Sequence, residues 1–259
     1  MLLRNQLAPV ARREGVGLGV AERDYVQHLF LRHAGREPLT FKGGTCLRIA
    51  YGSPRYSEDL DFNADSRSAA LAHLKEGAIR LADYGVRAEI LERGERGEGL
   101  GARLRFEGPL FDGSPHSRGT VRLEVSLRRE SVAVEEVFVP RTPYADVPQL
   151  VLRVLTKEHL FAEKVRALLV RGKPRDLYDV HFLLERGFGA PRELLDRKMA
   201  LYRRRFTLAA LDRGIESARR SWEQDLGPVL GQVPPIRSIT EDVRAGLRRI
   251  AGRRAAPTQ

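Results

Sequence analysis

The sequence predicts an α+β protein of two lobes: a mixed sheet flanked by helices over residues 1–155, then an all-helical lobe over 156–259. Three observations predict it. "TVRLEVSLRRE" (120–130) alternates without a break, with Val121, Leu123, Val125 and Leu127 on one face and Arg122, Glu124, Ser126 and Arg128 on the other. Strand, turn and helix patterns interleave from residue 38 to 139. From about residue 156 every segment has a helical period and no strand signal intervenes.

The elements follow in chain order. Residues 21–34 place Tyr25, Val26, Leu29 and Phe30 at helical spacing. "PLTFKGG" reads as a short strand ending in a glycine turn, and "TCLRIAYG" as a helix closed by Gly52. "DLDFNA" is a short alternating strand. Residues 66–84 form a helix with Leu71, Leu74, Ala78 and Leu81 on one stripe, followed by strand-like "GVRAEILER". "GERGEGLGA" (94–102) reads as a glycine-rich connection, "RLRFEG" as more strand, 109–119 as a loop and "VEEVFVP" as a further strand. The second lobe opens with "TKEHLFAEKVRALLVR" and "PRDLYDVHFLLERG", joined by the tight turn "RGKP" with Pro174 at a first-helical position. Segments near 192–204, 207–225 and 238–253 are also helical by period.

Composition excludes several classes. No run approaches the eighteen or more apolar residues of a membrane helix. The N-terminus is too rich in arginine for a signal peptide's apolar core, so a cytoplasmic protein is the expectation. Cys46 is the lone cysteine, which rules out an internal disulfide and a cysteine-based zinc site. The six histidines show no metal spacing, and His181, beside Phe182, Leu183 and Leu184, reads as a core-edge residue. The formal net charge is +11, with 39 arginines and six lysines. Such a surface favours polyanions, because phosphate contacts release counterions; GC-rich codon usage is the plain alternative.

The chemistry concentrates in "GGTCLRIAYGSPRYSEDLDF" (43–62). Asp59 and Asp61, at i and i+2 of a strand, share one face while Leu60 and Phe62 take the other. Paired carboxylates are hard oxygen donors suited to Mg²⁺, and two such ions roughly 3.5–4 Å apart can clamp the oxygens of a phosphoryl transfer. Gly43 and Gly44 let backbone N–H groups approach a phosphate, and Thr45 opens a helix whose positive end favours an anion. Glu124, on the polar face of its strand, is a candidate third metal ligand; a solvated strand glutamate is the alternative. In the helical lobe Lys164 can reach a triphosphate, and Asp176 and Asp179 share a face at i, i+3. The alternatives there are a Glu163–Lys164 surface pair and Asp176 as a helix N-terminal charge. Ser57, two residues before Asp59, is expected on the same side as the acids. Phosphorylation there would place a charge of about −2 beside them and shut the site; otherwise its hydroxyl orients the turn.

"FKGGTCLRIAYGSPRYSEDLDF", followed by "EHLFAEKVRALLVRGKPRDLYDVHFLLERG", resembles the AbiEii/AbiGii toxin family of bacterial nucleotidyltransferases over roughly residues 38–187. That family resembles polymerase β-type nucleotidyltransferases in its catalytic lobe. The resemblance implies a Mg²⁺-dependent enzyme that transfers nucleotides from an NTP to an RNA acceptor, with the 3′ end of tRNA expected, and so blocks translation. In a toxin role a separately encoded antitoxin would neutralise it; no membrane partner is expected, on the composition alone. Carried over by motif, Gly44 and Thr45 contact phosphate, Asp59 and Asp61 bind metal, Lys164 binds triphosphate and Asp176 serves the cleft that the helical lobe completes; Gly43 and Ser57 stand beside them as nucleotide-binding candidates. Lys42 and Arg55 match motif positions of less defined role. The rivals are transfer to a protein or small molecule, and a catalytically silent nucleic-acid-binding module.

Overall fold

A computed structural model describes residues 1–95, 99–128, 130 and 132–252. The chain forms two compact units, Met1–Leu155 with Val229–Gly231, and Thr156–Pro228 with Gln232–Gln259.

The first unit runs α1 (Arg4–Glu14), α2 (Leu18–Ala34), β1 (Thr40–Lys42), α3 (Gly43–Tyr51), β2 (Asp59–Asn63), α4 (Arg67–Arg80), β3 (Arg87–Glu95), β4 (Gly99–Glu107), β5 (Gly119–Ser126), β6 (Val134–Val139) and β7 (Leu150–Leu155). The strands make one mixed sheet in the order β3-β4-β5-β2-β1-β7-β6. β2 is parallel to β5 and antiparallel to β1, and β1 is parallel to β7. Alternation decides the faces. Phe41, Leu60, Phe62, Leu123, Val125, Leu152 and Val154 are buried on the apolar side. There α2 packs on β5 and β7, and α4 packs on β3 and on α2. The other side of β2 and β5 carries Asp59, Asp61, Arg122 and Glu124.

Three local features depart from the sequence reading. The connection read over 94–102 is largely strand: β3 runs to Glu95 and β4 begins at Gly99, while residues 96–98 lie outside the described set, as do Arg129 and residue 253, which the strand and last-helix readings reached. Pairing with β5 along its whole length holds β4's glycines extended. β7 gave no strand signal because "LVLRVL", set between β1 and β6, has little alternation. α1 went unread because arginines dominate it and Pro9 lies inside it; Leu7, Val10 and Ala11 still form a buried stripe.

The second unit is α5 (Lys157–Arg171), α6 (Pro174–Glu185), α7 (Arg192–Ala200), α8 (Leu208–Arg219), α9 (Trp222–Leu226) and α10 (Ile236–Gly252). Gly172 ends α5 at φ +57°. A side chain there would also press within 2.9 Å of the Gly214 carbonyl on α8, so both the turn and the helix contact require glycine. No helix among the described residues is long and apolar enough to cross a membrane.

Candidate active site

The site is built where β1, β2 and β5 lie side by side. Register places Lys42 opposite Asp61 and Asp61 opposite Glu124, and Asp59 opposite Arg122. In-register residues share a face, so these five side chains leave the sheet on one side. Asp59 and Asp61 are half-buried and Glu124 is exposed.

Helix α3 follows β1 without a loop, and the two glycines allow it. Gly43 has φ +81°, and a Cβ there would lie 2.0 Å from Asp61 Oδ2. A Cβ on Gly44 would meet Arg55 Nη2 at 2.5 Å and Ser57 Oγ at 2.9 Å. The turn is therefore the floor on which the carboxylate of Asp61, the guanidinium of Arg55 and the hydroxyl of Ser57 rest. Among the described residues no cation comes within 4 Å of Asp61 or Glu124, although Lys42 is a register neighbour of Asp61. Asp59 is approached by Arg122 Nη1 at 3.6 Å.

Thr45 is buried, and its hydroxyl donates to the Asp59 carbonyl at 2.5 Å. That bond ties α3 to the strand carrying the acids. What Thr45 can offer a ligand is therefore its backbone. Ser57 lies in the loop before β2, where Gln27 Nε2 donates to its carbonyl at 3.1 Å. Arg55 is 3% exposed and donates from Nη1 to the Tyr56 carbonyl.

Behind α3 lies a polar network that the sequence did not announce. Asp24 of α2, 1% exposed, accepts from Arg48 Nε of α3 and from the Tyr144 hydroxyl, each at 2.7 Å. The Arg48 guanidinium lies 3.4 Å over the Tyr56 ring. Burial and the Asp24 charge push the Tyr144 phenol far above its ordinary pKa. Burial pulls His28 down, against Asp24, and its Nδ1 lies 2.7 Å from the Asp24 carbonyl. The neutral ring is thus a donor through Nδ1. These contacts hold the rear of α3 and the 53–56 segment that leads into β2.

Lys164 and Asp176 lie in the helical unit and not beside each other's carboxylate or ammonium. Lys164 Nζ pairs with Asp179 Oδ2 at 2.8 Å, and Asp179 is wholly buried. Asp176, also wholly buried, takes a two-pronged contact from Arg171 Nε and Nη2, both at 2.7 Å, and accepts from the Lys173 backbone N–H at 3.3 Å. It therefore caps α6. Lys198, 1% exposed, pairs with Glu163 at 2.9 Å.

Two carboxylates on one strand face, with Asp61 seated in a cradle that any Cβ would fill, are a donor set suited to a hard divalent cation. Glu124 is in register with Asp61, but among the described residues no three His, Cys, Asp or Glu side chains converge on one point.

A model of the family described as nucleotidyl transferase AbiEii toxin, type IV toxin–antitoxin system, matches residues 25–249. The chain belongs to that family. It is thus a nucleotidyltransferase toxin of a type IV toxin–antitoxin system, with an NTP as substrate and an antitoxin as partner. Among solved structures, MenT4, a nucleotidyltransferase toxin from Mycobacterium tuberculosis H37Rv, matches with TM-score 0.68 and 22% identity, over 98% of this chain and 91% of that one. JHP933 from Helicobacter pylori matches with TM-score 0.64 and 18% identity, over 91% of this chain and 93% of that one. At those identities the likeness is one of fold. No curated protein matches the chain in sequence.

Proposed function

We propose that this AbiEii-family toxin acts in the cytoplasm, transferring nucleotides from an NTP to an RNA, with the 3′ end of tRNA as acceptor, and so blocks translation. The observation that carries the site assignment is the carboxylate of Asp61. Among the described residues it has no cation within 4 Å, and it rests on the glycine floor at the start of α3 with Asp59 two residues away on the same face.

In this reading Asp59 and Asp61 hold Mg²⁺, with Glu124 as the third carboxylate on the same face. When bound, the metal supplies Lewis-acid stabilisation of the charge that builds on phosphate oxygens. The chain's own residues do the rest. The backbone N–H groups of Gly43, Gly44 and Thr45 bind phosphate at the positive end of α3, and the Ser57 hydroxyl donates to it. The acceptor hydroxyl attacks the α-phosphorus in line and pyrophosphate leaves, which demands positioning above all. Lys164 and Asp176 are assigned to the triphosphate and to the reaction. Such a role at Lys164 requires phosphate to replace Asp179 as its partner. Phosphorylation of Ser57 would set a dianion over the glycine floor and close the site.

The test incubates the protein and its Asp61→Ala variant with Mg²⁺, total tRNA and each α-³²P-labelled NTP in turn. Label on tRNA from the parent alone supports the reading and names the nucleotide. Label on a protein or small molecule keeps the chemistry and replaces the acceptor. Binding of RNA with no transfer to anything makes the chain a silent binding module and ends the proposal.

A further inference from the structure

The helical unit contains an open cavity of about 1180 Å³ at the end of α5, between α7 and α8. Its lining includes Arg171, Arg192, Arg203, Arg204, Arg205 and Arg213, against a single acid, Asp196. Two of the six are committed: Arg171 to Asp176 at 2.7 Å, and Arg192 to Asp196 at 2.8 Å. Arg203, Arg204, Arg205 and Arg213 have no carboxylate within 4 Å among the described residues.

Four uncompensated guanidiniums around one hollow repel one another, and folding alone gives no reason to gather them. The backbone also goes out of its way to do so. Arg203 sits at φ +53°, the one non-glycine residue with positive φ among those described. A left-handed arginine between α7 and α8 turns three successive arginines toward the same space. Strained backbone of this kind collects at ligand sites. The floor is rigid, because a Cβ on Gly214 would lie 2.4 Å from the Leu168 carbonyl, so α5 and α8 are in backbone contact there.

The geometry points to a binding site for a phosphodiester backbone, at which the helical unit holds the RNA acceptor by its phosphates. Guanidinium forks match phosphate oxygens two at a time and never lose their charge. The volume and the spread of cations suit several successive phosphates better than one nucleotide. This inference rests on the reading of the chain as an enzyme that acts on RNA, and adds where the acceptor is gripped.

The experiment measures binding of 5′-fluorescein-labelled single-stranded RNA and of bulk tRNA by anisotropy over a range of salt, without NTP, for three proteins. They are the parent, an Arg204→Gln/Arg205→Gln/Arg213→Gln variant, and a charge-matched control with Arg237→Gln/Arg248→Gln/Arg249→Gln on α10. The cavity variant is expected to bind at least about tenfold more weakly, with a log–log salt slope shallower by roughly 0.7 per lost phosphate contact. The control is expected to stay near the parent. Equal losses in both variants, or a cavity variant that binds like the parent, overturn the site. So does a parent that ignores RNA but binds labelled polyglutamate through these arginines, which would make the cavity a dock for an acidic protein. Should the triple variant lose its fold, Arg213→Gln alone is read for the slope change of one contact. The nucleotide-transfer assay is separate. Arginine-dependent RNA binding without transfer fails the enzyme reading and leaves the cavity site standing.

Discussion

In the sheet unit, Asp59, Asp61 and Glu124 stand on one open face, and Asp61 and Glu124 lack a cation within 4 Å among the described residues. In the helical unit, Asp176 and Asp179 are wholly buried, and each is locked to a cation at 2.7–2.8 Å. Removing one partner of a buried pair leaves the other charge stranded, whereas removing an uncompensated carboxylate relieves repulsion. Asp176 and Asp179 are thus paired within the helical unit, and a part for Asp176 or Lys164 in the reaction begins with the breaking of an ion pair. In the sheet unit Asp59 has Arg122 at 3.6 Å, while Asp61 and Glu124 have no cation within 4 Å among the described residues. Trp222, the single tryptophan, lies in the helical unit and gives that unit a fluorescence probe of its own, which makes the contrast measurable.

The largest effect is expected at Asp61. Asp61→Asn keeps the shape and removes the charge, and should lower nucleotide transfer by more than about a hundredfold, since even outer-shell partners of a bound metal are worth 10–100-fold. Its melting curves, by circular dichroism and by Trp222 fluorescence, should stay with the parent. A variant that retains activity would break the contrast at its root.

Asp179→Asn should do the reverse. It strands the ammonium of Lys164 in a site where that residue is 8% exposed, at a cost of about 3–5 kcal/mol. The Trp222 transition should fall steeply in temperature, and any loss of activity should follow the loss of fold. Catalytic loss at a temperature where Trp222 reports a native unit would instead place the Lys164–Asp179 pair at the NTP.

The same contrast explains what could be read from the sequence. The shared face of Asp59 and Asp61 was legible because a two-residue period forces it, and the turn at Gly43 because a glycine pair before a helix marks one. β5 was legible from its alternation. The Asp24–Arg48–Tyr144 network was not, because its members lie 24 and 120 positions from Asp24 and no local period joins them. The partner of Lys164 was half legible: Asp176 and Asp179 share a face, but Arg171 takes the first and Lys164 the second. The arginine cavity was hidden in a chain with 39 arginines, where only the fold distinguishes four gathered around a hollow from the rest.

A smaller effect is expected at Thr45, where fold and site meet. Thr45→Val keeps the shape and removes the bond to the Asp59 carbonyl. It should cost about 1 kcal/mol, the net worth of an ordinary hydrogen bond. If the bond positions Asp59, kcat falls while KM for the NTP holds; if it is only structural, stability alone moves.

The smallest expected effect is the acid response, and it too divides the units. Burial lowers the pKa of His28, His33 and His73 in the sheet unit and of His181 in the helical unit. A lowered pKa means that the folded state binds fewer protons than the unfolded one, whose imidazoles titrate near 6.5. Stability is therefore intact above that value and is lost as pH falls through it toward the depressed native values. His181 has Glu185 and Asp242 each at 3.7 Å, which favour its protonated form and oppose the loss. His28 faces Asp24 as well, but Arg48 opposes that help and its ring is more deeply buried. Between pH 7.5 and 5.5 the circular dichroism transition should fall further than the Trp222 transition, and His28→Asn should flatten the first slope without changing the second. Equal slopes in both probes would mean that the carboxylates around His181 do not shelter it, and that the two units share one acid response.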